Sequence, residues 1–350
     1  RLFYSRRIGK QPSYYPDLAG DEFARQPENT SILGAFKLAG KTADGLSVGV
    51  LEGVTAREEA EIDQAGARRQ VAVEPTTNYL VGRVTQEWRE GQSMVGAMMT
   101  STARDIDDDH LQFLRRKAWT GGFDLRHEFN DRRYRIEARL LGSHLRGSAE
   151  SIDRLQTSSA RYYQRPDNDH AEYDPERTTL SGTAGSLMFT RTGRSSRLMY
   201  QTGAAWRTPG FEINDLGYMQ RADEINQFTW AGYSLRDPFW IFNNWQLNGN
   251  QWLDWDFGGT LLRKKVNFNN NANFRDHSYY YWGLTRSFEE ISNTELRGGP
   301  SSRWPGWLAF SAQYSTNPRR ALSTGFGGSF KKGDESNLDN WDTWVDLIYR

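Results

Sequence analysis

Residues 119–147 read WTGGFDLRHEFNDRRYRIEARLLGSHLRG. At period two, Trp119, Gly121, Phe123 and Leu125 point one way, while Thr120, Asp124, Arg126 and Glu128 point the other. A polar turn follows (Asn130, Asp131, Arg132, Arg133). Tyr134, Ile136, Ala138, Leu140 and Gly142 then alternate with Arg135, Glu137, Arg139 and Ser143. Successive side chains of a strand face opposite sides of its sheet, so this is a hairpin with one apolar and one charged face. A soluble sandwich also alternates. Arms of about ten residues, however, suit tilted strands that cross a bilayer, and lipid outside a wet, charged lumen is the pattern of an outer-membrane barrel.

The chain has 350 residues, with 44 Lys+Arg against 44 Asp+Glu. That formal neutrality removes the electrostatic case for nucleic acid. Mean hydropathy is −0.78, and no run approaches the roughly 18 apolar residues of a membrane helix. A barrel is untouched by that exclusion, because only alternate residues must be apolar. The 13 Trp and 16 Tyr suit membrane interfaces and strands alike. With no cysteine, disulfides, zinc-thiolate sites and thiol chemistry are absent. The chain begins at Arg1 without Met and ends inside an apparent strand, so a portion of a longer barrel is expected.

Taken in order, residues 1–30 read as an irregular loop segment, expected to be extracellular, and 31–350 as the barrel. Arms 32–40 and 46–55 flank an Asp44-Gly45 turn, a strong hairpin signal. A polar link over 56–77 is expected next. Further pairs are 78–89 with 93–103, the opening hairpin, 178–191 with 196–206 (turn 192–195), and 225–235 with 239–253. Three more elements follow: 262–275 with 278–291, 305–316 with 320–332, and a last arm near Trp341. This makes roughly fifteen strands in which tight turns alternate with long links, the sorting of connections found in outer-membrane barrels. The expected fold is all-β, a transmembrane antiparallel up-and-down barrel with short periplasmic turns and long extracellular loops. Its lipid face would include Phe123, Ile136, Leu140, Leu198, Tyr200, Phe228, Trp230, Val266, Phe268, Trp282, Leu284, Leu308, Phe310 and Tyr314. One short helix is expected at 149–157, where Ile152 and Leu155 share a face and Ser148 or Ser151 caps.

Five motifs carry a resemblance: LFYSRRIG (2–9), ILGAFKLAGKTADGLSVGVLEGVT (32–55), SSARYYQRPD (158–167), PGFEINDLGYMQRADE (209–224) and ELRGGP (295–300). In this order the chain resembles a family of outer-membrane barrel proteins of Bacteroidota and related phyla. Members carry an N-terminal module similar to family 9 carbohydrate-binding modules ahead of the barrel, and that module is absent here. The resemblance implies a bacterial outer-membrane location and brings no catalytic residue set.

Three groups are candidate sites. The charges Asp124, Arg126, Glu128, Arg135, Glu137 and Arg139 line a lumen and set its selectivity, or else interlock as a cross-strand ladder. The loop aromatics Tyr162, Tyr163, Phe211, Tyr218, Trp304 and Trp307 offer ring faces for glycan stacking, or else pack the loops. Asp105, Asp107 and Asp109, in DIDDDH, are candidate ligands for a loop-bound divalent cation such as calcium, without EF-hand spacing or an internal Gly. Otherwise they form a solvated loop. No other cofactor is expected. The five histidines show no H-E-x-x-H spacing, and paired carboxylates cannot be chosen among 44 acids.

The resulting expectation is a channel or receptor for a solute, a glycan among the candidates, with enzymatic activity left open. Its partners would be outer-membrane lipid and lipopolysaccharide, glycans and other envelope proteins, but not nucleic acid. The alternatives are an outer-membrane hydrolase acting on glycans and a plugged barrel that docks other envelope proteins.

Overall fold

The structure, a computed structural model, describes residues 2–192, 196–335 and 339–350. The expected turn residues 193–195 lie outside them. The strands are β1 (Glu22–Arg25), β2 (Ile32–Lys41), β3 (Leu46–Thr55), β4 (Glu58–Gln64), β5 (Ala67–Glu74), β6 (Thr77–Trp88), β7 (Ser93–Arg104), β8 (Arg115–Phe129), β9 (Tyr134–Gly147) and β10 (Thr179–Arg191). They continue as β11 (Leu198–Arg207), β12 (Glu224–Leu235), β13 (Phe242–Trp255), β14 (Leu261–Phe274), β15 (Tyr279–Ser287), β16 (Glu290–Ser292), β17 (Ser302–Trp304), β18 (Trp307–Ser315), β19 (Leu322–Gly333) and β20 (Asp339–Tyr349).

Fifteen of these form one sheet in the order β2-β3-β6-β7-β8-β9-β10-β11-β12-β13-β14-β15-β18-β19-β20. Every neighbouring pair is antiparallel, as expected of a meander. The sheet does not close. β2 pairs only with β3 and β20 only with β19 among the described residues, and every residue of both edge strands is exposed.

Register fixes two faces. Phe123 lies opposite Ala97 on one side and Leu140 on the other, while Phe268 lies opposite Gly249 and Leu284, and Leu284 opposite Phe310. On this outer face Phe123 is 66% and Phe268 57% exposed. The opposite face carries the charges of β8 and β9 and an amide ladder. In that ladder Asn248 donates to Asn269 at 2.8 Å and Asn250 to Asn267 at 2.9 Å.

The expected outer set is corrected at two positions. Tyr200 is opposite Ala231, which turns Phe228 and Trp230 to the polar face. There the Trp230 indole N–H donates to Asn248 at 3.1 Å, and its ring lies over Gly232. Both faces of this strand carry apolar residues, so alternation alone could not choose between them.

Aromatic rings on the outer face run across strands near the turn end. His127 stacks on Phe129 and Phe129 on Tyr134, and the chain continues to Phe189 and Tyr200 with centroids 5.4–5.9 Å apart. Phe274, Tyr314 and Phe326 continue it on the far strands. At the link end Trp119 stacks on His144, and Trp206 and Trp255 share a row through Ile225.

Two links differ from expectation. Residues 56–77 hold β4 and β5, which join β1 in a separate three-stranded sheet. Ala65 and Gly66 turn between them at φ 51° and 92°, the left-handed pair of a type I′ hairpin, and Ala60 and Ile62 bury one face. The 1–30 segment is likewise not all irregular, since it supplies β1. The link 256–260 is short, because β14 begins at Leu261.

The helix forms as expected. In α1 (Ala149–Gln156) the Ser148 hydroxyl accepts the Ser151 N–H at 3.0 Å. Its Ile152 and Leu155 pack with Ala118, Leu145 and Leu180 of the polar face. The long links therefore fold back over the inner face as a shelf.

Candidate functional site

The six expected lumen charges share the inner face, and register sets each opposite an opposite charge: Asp124 with Arg139, Arg126 with Glu137, Glu128 with Arg135. Only the last pair closes directly, at 2.6 Å. Asp124 instead binds Arg83 on β6, reaching across β7 at Gly96. A Cβ there would lie 2.5 Å from an Arg83 nitrogen. Arg126 donates to the Gly91 carbonyl at 3.3 Å. Arg139 is left with no hydrogen-bond or ion-pair partner among the described residues.

The shelf is clamped to the wall by buried charges. Asp215, in the 208–223 link, accepts from Arg104 at 2.7 Å and Arg115 at 3.1 Å, and Arg104 and Asp215 are each 4% exposed. Burial alone would raise the Asp215 carboxyl, but the Arg115 and Arg104 guanidiniums outweigh it and hold it at about 2. Arg161 pairs with Glu212 at 2.9 Å, joining two links in the interior. The N-terminal segment joins the shelf where Phe3 and Ile8 pack on Tyr79, Val81 and Leu216.

The six loop aromatics divide. Tyr162, Tyr163 and Phe211 are buried, and Phe211 also lines the first of the cavities described below. Burial also pushes the Tyr163 hydroxyl up to about 12. Phe211 sits directly over Gly182, where a Cβ would meet its backbone. Trp307 lies between Lys265 and Lys331, 5.0 and 4.5 Å from its ring. Tyr218 and Trp304 are each half exposed.

Two cavities bring several of these groups together. One of about 730 Å³ lies between β9–β11 and the 208–223 link, lined by Arg139, Arg207, Phe211, Tyr218, Arg221 and Glu224 among others. A second, of about 230 Å³, shares Arg221 and Glu224 and reaches Trp304. Tyr218 thus borders the first cavity and Trp304 the second, with Arg221 and Glu224 between the two.

The aspartates of DIDDDH do not converge. Asp105, Asp107 and Asp109 are exposed, and Asp108 between them is bound to Arg57. Among the described residues the one group with converging ligand atoms is His170, Asp223 and Asp256, within 4.8 Å of one another. His170 Nε2 is 2.8 Å from Asp223, and Asp256 accepts the Thr260 N–H at 2.8 Å. A nitrogen and two carboxylates suit a transition metal better than calcium, although Arg165 stands 4.0 Å from Asp223. The chain separations of 53 and 33 residues carry no spacing signal, so sequence reading missed this group. Of the other histidines, His144 bonds Ser181 at 2.7 Å and His127 bonds Ser93 at 2.9 Å.

The class these observations define is an all-β protein built on one large antiparallel sheet with an apolar outer and a polar inner face. The chain belongs to the DUF5916 family, described as a domain of unknown function, whose model matches residues 1–350. No curated protein matches it. Among solved structures it is similar to BamA from Haemophilus ducreyi lacking POTRA domains 1–3. The identity is 9% and the TM-score 0.37, over 91% of this chain and 70% of that one.

Proposed function

We propose that this chain forms the wall of a bacterial outer-membrane β-barrel that captures or passes a solute through its lumen, an oligosaccharide being the favoured class. The observation that carries this reading is the outer face. Large apolar side chains stand exposed there on strand after strand, and an extended exposed apolar surface marks a face that meets lipid or a partner. Aromatic rings gather at both ends of that band. From Trp119 to Phe129 is ten residues of β8, ~33 Å along a strand. At a membrane-barrel tilt of roughly 40° this gives a height of about 25 Å, the apolar band of such barrels. Unpaired strand edges are not tolerated in lipid, so in the membrane β2 and β20 require pairing partners that complete the cylinder.

The ion-lined cavities beside Tyr218 and Trp304 support a solute site. The link shelf supports a second reading, a plugged barrel that docks envelope proteins through its links. Planar-bilayer conductance of the protein separates the two. Solute-sensitive conductance supports passage, a sealed bilayer with sugar-dependent thermal stabilisation supports capture, and neither signal sinks both in favour of the plugged barrel.

A further inference from the structure

We propose that the cavity between β9–β11 and the 208–223 link binds an anionic sugar, its carboxylate or phosphate on Arg139 and its ring against Tyr218. This rests on the solute reading above and names the substrate class. A volume of about 730 Å³ falls within the ordinary range of small-ligand sites. Three guanidiniums line it (Arg139, Arg207, Arg221), but only one carboxylate, Glu224.

That carboxylate is committed, because Arg207 binds it. The Arg207 Nε remains a buried donor without a partner, and a buried polar group left unpaired is costly. Arg221 spends one nitrogen on the Asn293 side-chain oxygen. Arg139 makes no hydrogen bond or ion pair among the described residues, because Gly96 lets Arg83 take the carboxylate opposite it; Asp124 reaches it only through its longer-range field. An arginine fork is the natural partner of a carboxylate or phosphate. Leu141, Met188 and Met219 supply the apolar wall, and the half-exposed Tyr218 ring suits the C–H face of a pyranose.

The test is calorimetric titration of the micelle-folded protein with trigalacturonate, glucose 6-phosphate and maltotriose. Binding of either anionic probe at least 10-fold tighter than maltotriose, weakening with salt, supports the site. The tighter anion tells a uronate from a phosphate source. Arg139→Gln is expected to cost ~10- to 100-fold, the range for a hydrogen bond to a charged group. Arg83→Leu, outside the cavity lining, releases Asp124 to Arg139 and is expected to weaken the anion while leaving maltotriose unchanged. Equal binding of neutral and anionic probes, or anion binding indifferent to both substitutions, overturns the proposal. If conductance is present and anion preference absent, the barrel reading stands and this one falls.

Discussion

Arg83 and Asp124 bind each other across an intervening strand. The guanidinium on β6 passes over Gly96 of β7 to reach the carboxylate on β8, with one contact of 2.9 Å. The pair breaks the simple ladder that register would impose, because Asp124 lies opposite Arg139. A single missing side chain therefore decides which arginine hydrogen-bonds Asp124.

Gly96→Val removes that passage. A branched side chain would push Arg83 aside and leave a partly buried carboxylate with one fewer charged hydrogen-bond partner, at about 1–3 kcal/mol. The urea midpoint of the micelle-folded protein is expected to fall, while Gly142→Ala, where a Cβ meets open space, leaves it unchanged. Equal effects would contradict the bridge.

Shelf docking is expected to depend on acid. Asp215 sits at about 2 in the folded chain against an ordinary 3.8. A carboxyl lowered by folding stabilises fully above its unfolded value and loses that contribution as pH falls through the folded one. The window is therefore between about pH 4 and pH 2, with ~2 kcal/mol at stake. Amide exchange in residues 208–223 should accelerate across that window. Asp215→Asn should show the acceleration already at neutral pH.

Removing one member of the Arg161–Glu212 pair strands a charge among buried neighbours. Arg161→Leu is expected to cost ~3–5 kcal/mol, whereas the double variant Arg161→Leu/Glu212→Leu recovers much of that loss. Thermal unfolding of the three proteins checks this, and a double variant no better than the single would contradict it.

Ser148→Ala removes the cap of α1, at about 1 kcal/mol. Proteolytic nicking between 148 and 178 should then quicken without change in the strand content seen by circular dichroism. An unchanged nicking rate would mean that packing of Ile152 and Leu155 holds the helix unaided.

The main sheet was legible because its arms alternate cleanly and its turns are short and polar. The β8–β9 hairpin appears with its expected inner charges, and so do most of the arms, within a few residues of their bounds. Legibility failed where one strand is apolar on both faces, as at Phe228 and Trp230, since only neighbouring register sets their side. It failed again at β4 and β5, whose charged outer faces (EEAEIDQ, ARRQVAVE) resemble a solvated link. The site was less visible still. Arg139, Tyr218, Arg221 and Trp304 belong to elements far apart in the chain, and only the folding back of the links brings them to two neighbouring cavities. Nor does alternation show that Tyr163 and Phe211 are core residues of a shelf, because loop aromatics look the same in sequence whether buried or free.

In the proposed barrel Phe268 faces lipid and Asn269, its neighbour on β14, faces water. Because the chain has no cysteine, Phe268→Cys and Asn269→Cys each give one reactive site in liposome-inserted protein. The measurement is labelling by a water-soluble maleimide against quenching of a bimane at each site by spin-labelled lipid. Quenching without labelling is expected at 268, and labelling without quenching at 269. Labelling at 268 with protection at 269 would contradict this placement.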